Sequence, residues 1–145
     1  MYRHVLIPTD GSALSETAIR HGMALAKAMG ARVTVLTASL PFHSLALDPV
    51  MVSDNPARYR QECEALAEKA LAAAQRQAGA IGIGCETVHV TDAHPYQAII
   101  ETARQRGCDL ICMASHGRRG ISALVLGSET SSVLTHSKIP VLVCR

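Results

Sequence analysis

The 145-residue chain has no tryptophan, one phenylalanine (Phe42) and three tyrosines, so aromatic residues are only 3% of it. A nucleic-acid surface built from stacking aromatics has almost no raw material here. Charge is also scarce. Lys and Arg number 14 against 12 Asp and Glu, a net +2, far from the clustered basic footprint of a protein that lives on phosphate backbones. No apolar run approaches the roughly 18 to 20 residues needed to cross a bilayer. The longest uncharged stretch, Val33 to Leu47, is interrupted by Pro41, His43 and Ser44. The five cysteines (Cys63, Cys85, Cys108, Cys112 and Cys144) are odd in number and follow no secretory signal, which favours free thiols in a reducing compartment over a disulfide framework. The expectation is a soluble cytoplasmic protein that binds neither nucleic acid nor membrane. What the chain does have is apolar residues, 48% of the total. That is enough to fill an aliphatic core and too much for a disordered chain. At this length one domain, residues 1–145, is expected.

Five β-branched apolar segments recur: Val5-Leu6-Ile7, Val33 to Leu36, Thr87 to Val90, Leu110 to Met113, and Val141 to Val143. Several lack polar alternation, as strands covered on both faces do. Helical patterns separate them. Ser12 is a natural N-cap for a helix whose stripe reads Leu14, Ala18, Gly22, Leu25 and Met29 and which stops at Gly30. A longer helix follows with Tyr59, Cys63, Leu66, Ala70 and Ala74 on its stripe and Gly79 as its end. Pro95 opens a third, running through Ile99 and Ala103 to Gly107, and the fourth spans Ser128 to about His136. Strict alternation of strand and helix predicts an α/β fold with a doubly wound, Rossmann-like, five-stranded parallel sheet of order 3-2-1-4-5, helices on both faces and right-handed crossovers. The connection from Ser39 to Pro56 is long for such a fold and reads as a lid or as a surface insertion.

Ligands of open parallel sheets bind beyond the carboxyl ends of the strands, where the strand order reverses. Two loops occupy that place: Pro8-Thr9-Asp10-Gly11-Ser12 after the first strand, and Ala114 to Gly120 after the fourth. Gly117 and Gly120 let successive amides converge on an anion. Gly127-Ser128 opens a helix whose free amides and dipole also favour a phosphate. Arg118 and Arg119 add positive charge, and Asp10 stands opposite as an acceptor for a sugar hydroxyl or a base amine. Each element has a duller use: a tight turn for the glycines, an N-cap for Ser128, solvated surface for the arginines. Glu129 suits a helix N-terminus and slightly repels a phosphate. Their joint placement at one crevice is what favours the binding reading.

These residues resemble the universal stress protein family, in particular its nucleotide-binding branch. The ATP signature of that branch, G-x-x-G-x9-G-(S/T), falls in register with Ala114-Ser115-His116-Gly117, nine residues from Arg118 to Leu126, and Gly127-Ser128. The opening Val5 to Ser12 and the closing Ile139 to Val143 are similar to the family's first and last strands, so the resemblance spans the chain. One departure is Ala114 in place of the first glycine, which is expected to weaken binding at most. The resemblance implies that Asp10 meets the adenosine part of ATP and that Ala38 touches adenine through its backbone. Gly117, Arg118, Gly127 and Ser128 would hold ribose and phosphates, with Thr130 nearby, while Pro8, Thr9 and Met113 line the pocket. It also implies a homodimer joined through the last strand and a stress-response role in which ATP, with magnesium where present, tunes conformation or partner choice. The alternatives are a slow ATPase or adenylyl-transferring enzyme, or a nucleotide-free dimeric scaffold.

Other patterns carry less. Gly79 to Gly84 precedes a strand, whereas a dinucleotide fingerprint follows one. Cys108-x3-Cys112 and His89-x4-His94 are not zinc spacings. Ser115-His116 has no G-x-S-x-G elbow, and as neighbours on an extended segment the two are expected to point opposite ways. Turnover of ATP needs a positioned water or acceptor, and no convincing constellation supplies one. A valine at Gly127 is expected to abolish ATP binding by occupying the phosphate approach while leaving the fold largely intact.

Overall fold

A computed structural model describes residues 1–45, 55–117 and 125–145. Five strands, β1 (His4–Pro8), β2 (Arg32–Ser39), β3 (Cys85–Thr91), β4 (Leu110–Ala114) and β5 (Val141–Cys144), form one sheet in the order β3-β2-β1-β4-β5, and every pairing is parallel. Four helices connect them: α1 (Ala13–Met29), α2 (Pro56–Ile81), α3 (Pro95–Arg106) and α4 (Ser128–His136). The expected order and element sequence are therefore those observed. A 3-10 turn at Phe42–Leu45 follows β2. The rest of the long connection, residues 46–54, lies outside the described residues.

The central strands β1 and β4 are buried along nearly their whole length, yet their side chains still alternate between two cores. Val5, Ile7, Val33, Val35 and Cys112 pack with α1 and α2 on one face. Leu6, Leu36, Ile111 and Met113 pack with Ile99, Ala103 and Val133 of α3 and α4 on the other. The strand starts are tied together by Asp109, whose carboxylate accepts from the amides of Arg3 (2.9 Å) and His4 (2.9 Å).

The helix stripes agree with the sequence expectation at Ala18, Gly22 and Ala74 and differ elsewhere. In α1 the buried set is Ser15, Ala18, Ile19, Gly22, Met23 and Ala26, and Leu14, Leu25 and Met29 only flank the core. In α2 it is Ala67, Leu71, Ala74 and Ala78, while Leu66 is 54% exposed. The reason is close approach. Small residues let a helix backbone settle onto the sheet: a Cβ at Gly22 would stand 2.6 Å from Ile7 Cδ1. Gly79 does not end α2. The helix continues to Ile81, and Gly82 takes the left-handed conformation (φ +74°) that closes it, with the Ile83 amide donating to the Ala78 carbonyl.

All five cysteines are free. Cys112 and Cys144 lie with their sulfurs 3.7 Å apart. Burial, then the neighbouring Cys144 thiol, pushes the Cys112 thiol up to about 12, and burial pushes Cys108 up to about 11. These are packing groups held as thiols.

Candidate functional site

The β1–α1 turn forms one side of the site. Gly11 takes φ +78°, which a glycine adopts without strain, and its amide donates to Thr9 Oγ1 at 3.1 Å. Thr9 Oγ1 also lies 3.0 Å from Ser15 Oγ. The Thr9 amide donates to the Leu36 carbonyl at 2.8 Å and its carbonyl accepts from Thr37 Oγ1 at 3.2 Å. This network fixes the turn to β2, so that Asp10 projects from a rigid base. The Asp10 carboxylate accepts from the Ser12 amide at 2.9 Å, and Ser12 in turn caps α1.

The β4–α4 connection forms the other side. Ser115 leaves β4 with its amide on the Cys144 carbonyl (2.7 Å), and its own carbonyl accepts from the Gly127 amide (2.7 Å). Thr130 Oγ1 donates to the Ala114 carbonyl at 2.9 Å. The two ends of the loop are thereby clamped side by side. Ser115 Oγ and His116 Nδ1 are 3.2 Å apart, so the expectation that these neighbours point apart is wrong: both lie past the end of β4, where strand alternation no longer applies. Gly127 is the N-cap of α4 and Ser128 its first residue, which removes the reading of Ser128 as the cap. The first-turn amides of α4 have no carbonyl partner within the helix.

Two glycines stand at close contacts rather than at a positive φ. A Cβ at Gly117 would collide with the Asp10 carboxylate, so Asp10 and the loop after β4 do face each other across the crevice. A Cβ at Gly127 would meet the backbone of the β4 exit, 3.0 Å from His116 Cα and 3.3 Å from the Ser115 carbonyl oxygen. A side chain at Gly127 therefore presses on the β4 exit as well as on the phosphate approach.

Between the two sides lies a cavity of about 410 Å³, within the range of small-molecule sites. Pro8, Thr9, Asp10 and Ala38 line it from β1 and β2, and Met113, Ala114, Gly117, Gly127, Ser128, Glu129 and Thr130 from β4 and α4. Arg118 and Arg119 lie outside the described residues. Sequence reasoning missed Leu36, Leu40 and Ser15, as well as Ala93, Pro95 and Ile99, which bring the β3–α3 loop to the same wall. Proline at the start of a helix after a third parallel strand was the available signal, because every strand of such a sheet ends on this edge. Glu129 has a role no motif announced: its Oε2 accepts from the Tyr96 amide in the first turn of α3 at 2.7 Å. Among the described residues no cluster of three metal-ligating side chains is present, and no helix is long and apolar enough to cross a membrane.

A model of the universal stress protein family matches residues 1–145. Universal stress protein MJ0531 of Methanocaldococcus jannaschii is 28% identical over 148 residues, spanning all of this chain and 83% of its own. The solved structure of protein MJ0577 superposes with a TM-score of 0.83 at 25% identity, over 99% of this chain and 96% of that one. A universal stress protein crystallised in complex with cAMP gives 0.73 at 28% identity, over 99% and 97%.

Proposed function

The chain belongs to the universal stress protein family, and on that premise we propose that it binds an adenine nucleotide, ATP foremost, at the carboxyl edge of its sheet. The observation that carries this reading is the cavity of about 410 Å³ in which Asp10, Gly117 and the first turn of α4 meet. Its inner wall, from Leu36, Ala38, Ile99 and Met113, is apolar and suits a flat base. Its outer wall offers the unpaired amides at Ser128 to Thr130, the arrangement that favours a phosphate. The cAMP complex of a relative supports the choice of adenine nucleotide. Ala114 places a methyl where the motif has glycine; it packs with the core under the sheet, is 8% exposed and borders the cavity. The proposed module is a binder that signals its nucleotide state to a partner.

Thermal unfolding with ATP, with and without magnesium, and with cAMP and GTP, tests this. A ligand at about 100 times its Kd stabilises by about 2.7 kcal/mol, which for a domain of this size raises Tm by about 5 to 10 °C. No shift with any adenine nucleotide, in protein shown to carry none from purification, refutes the reading and favours a scaffold.

We also propose a homodimer through β5. This strand is an edge of the sheet, and Leu142 at its centre is 40% exposed. An unpaired apolar edge is an aggregation hazard unless covered.

A further inference from the structure

Glu129 is the second residue of α4 and lines the cavity at the helix end where a phosphate would sit. Its carboxylate is held there. Oε2 accepts from the Tyr96 amide at 2.7 Å, and that amide belongs to the first turn of α3, whose N-cap, His94, makes no side-chain capping bond. One acidic side chain therefore serves two helix N-termini and cannot swing out to solvent without uncapping α3. Asp10 is the second carboxylate on the cavity wall, and among the described lining residues His116 is the one basic side chain. A fixed negative charge beside an anion cradle leaves the first phosphate its amide donors but opposes every further unit of charge in proportion.

Resting on the adenine-nucleotide reading, we propose that Glu129 is a specificity-determining residue that sets the charge the site accepts. It favours ligands with a single phosphate charge, such as a cyclic phosphodiester, over metal-free triphosphates, and it makes ATP binding depend on a divalent cation to neutralise the chain. Adenine and the 2′-hydroxyl are common to both ligands, so the charge discrimination is made at the phosphates, by an element that the glycine signature does not contain.

The test compares wild type with Glu129→Gln by calorimetric titration of ATP and of cAMP at low salt in EDTA, where ATP carries its full charge. The glutamine carbonyl can still accept from the Tyr96 amide, so the variant removes charge and keeps the cap. Any contribution of Arg118 and Arg119 is common to both proteins. Glu129→Gln is expected to tighten ATP about tenfold, and cAMP by less than about threefold. In wild type, raising the salt should narrow the gap between the two ligands, because screening weakens the repulsion. Binding of both ligands with an ATP to cAMP ratio unchanged by the substitution and by salt overturns the proposal and leaves the nucleotide reading standing. Failure of both proteins to bind both ligands, with ATP titrated in magnesium as well as in EDTA, refutes the nucleotide reading itself, and the proposal with it.

Discussion

His4, at the start of β1, is 2% exposed and shares a 2.8 Å hydrogen bond through Nε2 with Thr34 Oγ1 of β2, itself fully buried. Its Nδ1 makes no well-formed hydrogen bond. Burial, then the charge of Arg32, lowers its pKa below the ordinary 6.5. The Arg106 carbonyl and the Glu86 and Asp109 carboxylates oppose this, without outweighing it. The folded state thus prefers neutral imidazole, and the unfolded chain binds the proton first. The His4 contribution to stability is complete above pH 6.5 and is lost as pH falls through the folded pKa, at a slope of at most about 1.4 kcal/mol per pH unit for one proton. Asp109 does not confuse this window. Burial works to raise its pKa, but the His4 and Arg3 amides more than offset that and lower it below 3.8, so its own contribution disappears only in stronger acid. Thr34→Val leaves both imidazole nitrogens without a well-formed hydrogen bond and should cost about 1 to 3 kcal/mol. His4→Leu orphans the Thr34 hydroxyl but also removes the poorly bonded Nδ1, so its cost should be smaller. The double variant removes both partners, should be nearly neutral, and should give a coupling energy of at least about 1 kcal/mol. Urea unfolding of the four proteins at pH 7.5, repeated down to pH 5, measures both effects. Additive single costs, or a pH dependence between 7.5 and 5 that is the same in wild type and His4→Leu, would refute the reasoning.

Two further perturbations bear on the site and on assembly. Gly127→Val should lower Tm even without ligand, because its Cβ meets the His116 and Ser115 backbone; overpacking of about 1 to 3 kcal/mol corresponds to roughly 3 to 10 °C, and an unliganded Tm equal to wild type would show that the loop yields freely. Leu142→Asp should convert the proposed dimer to monomer in sedimentation equilibrium by placing like charges across the paired edges, and a monomeric wild type at micromolar concentration would remove the β5 interface altogether.

Much of the fold was legible because two local signals agreed. The apolar β-branched runs matched strands buried on both faces, and Gly30 and Gly107 stop their helices in the left-handed conformation (φ +66° and +67°) that glycine favours. Where several glycines competed, the pattern failed. Gly79 lies within α2 and takes no left-handed φ, whereas Gly82 three residues on takes φ +74° and closes the helix. The stripes of α1 and α2 include Ala18, Gly22 and Ala74, which the structure buries, but they also take in Leu14, Leu25, Met29 and Leu66, which flank the core or stand exposed, while Ala26 and Ala78 continue the contact with the sheet. Size at the contact sets how near the backbones come, a property of two elements that neither shows alone.

The same distinction separates the legible part of the site from the rest. Asp10, Gly117 and Gly127 follow from one chain segment each plus the topological rule that places the ends of β1 and β4 side by side. The wall formed by Ala93, Pro95 and Glu129 depends instead on α3 and α4 packing against the same face of the sheet, where Ile99, Ala103 and Val133 share one core. Only that packing brings the Tyr96 amide within 2.7 Å of Glu129 across 33 residues of sequence. In the sequence Glu129 is an acid in the first turn of a helix, a placement explained by the helix dipole of α4 alone. In the fold it is bound to the N-terminus of a second helix, and so remains in the cavity when an anion approaches. A mobile carboxylate would rotate away from a phosphate and exact little. A tethered one makes the charge of the ligand part of what the site reads, and ties any displacement of Glu129 to the first turn of α3.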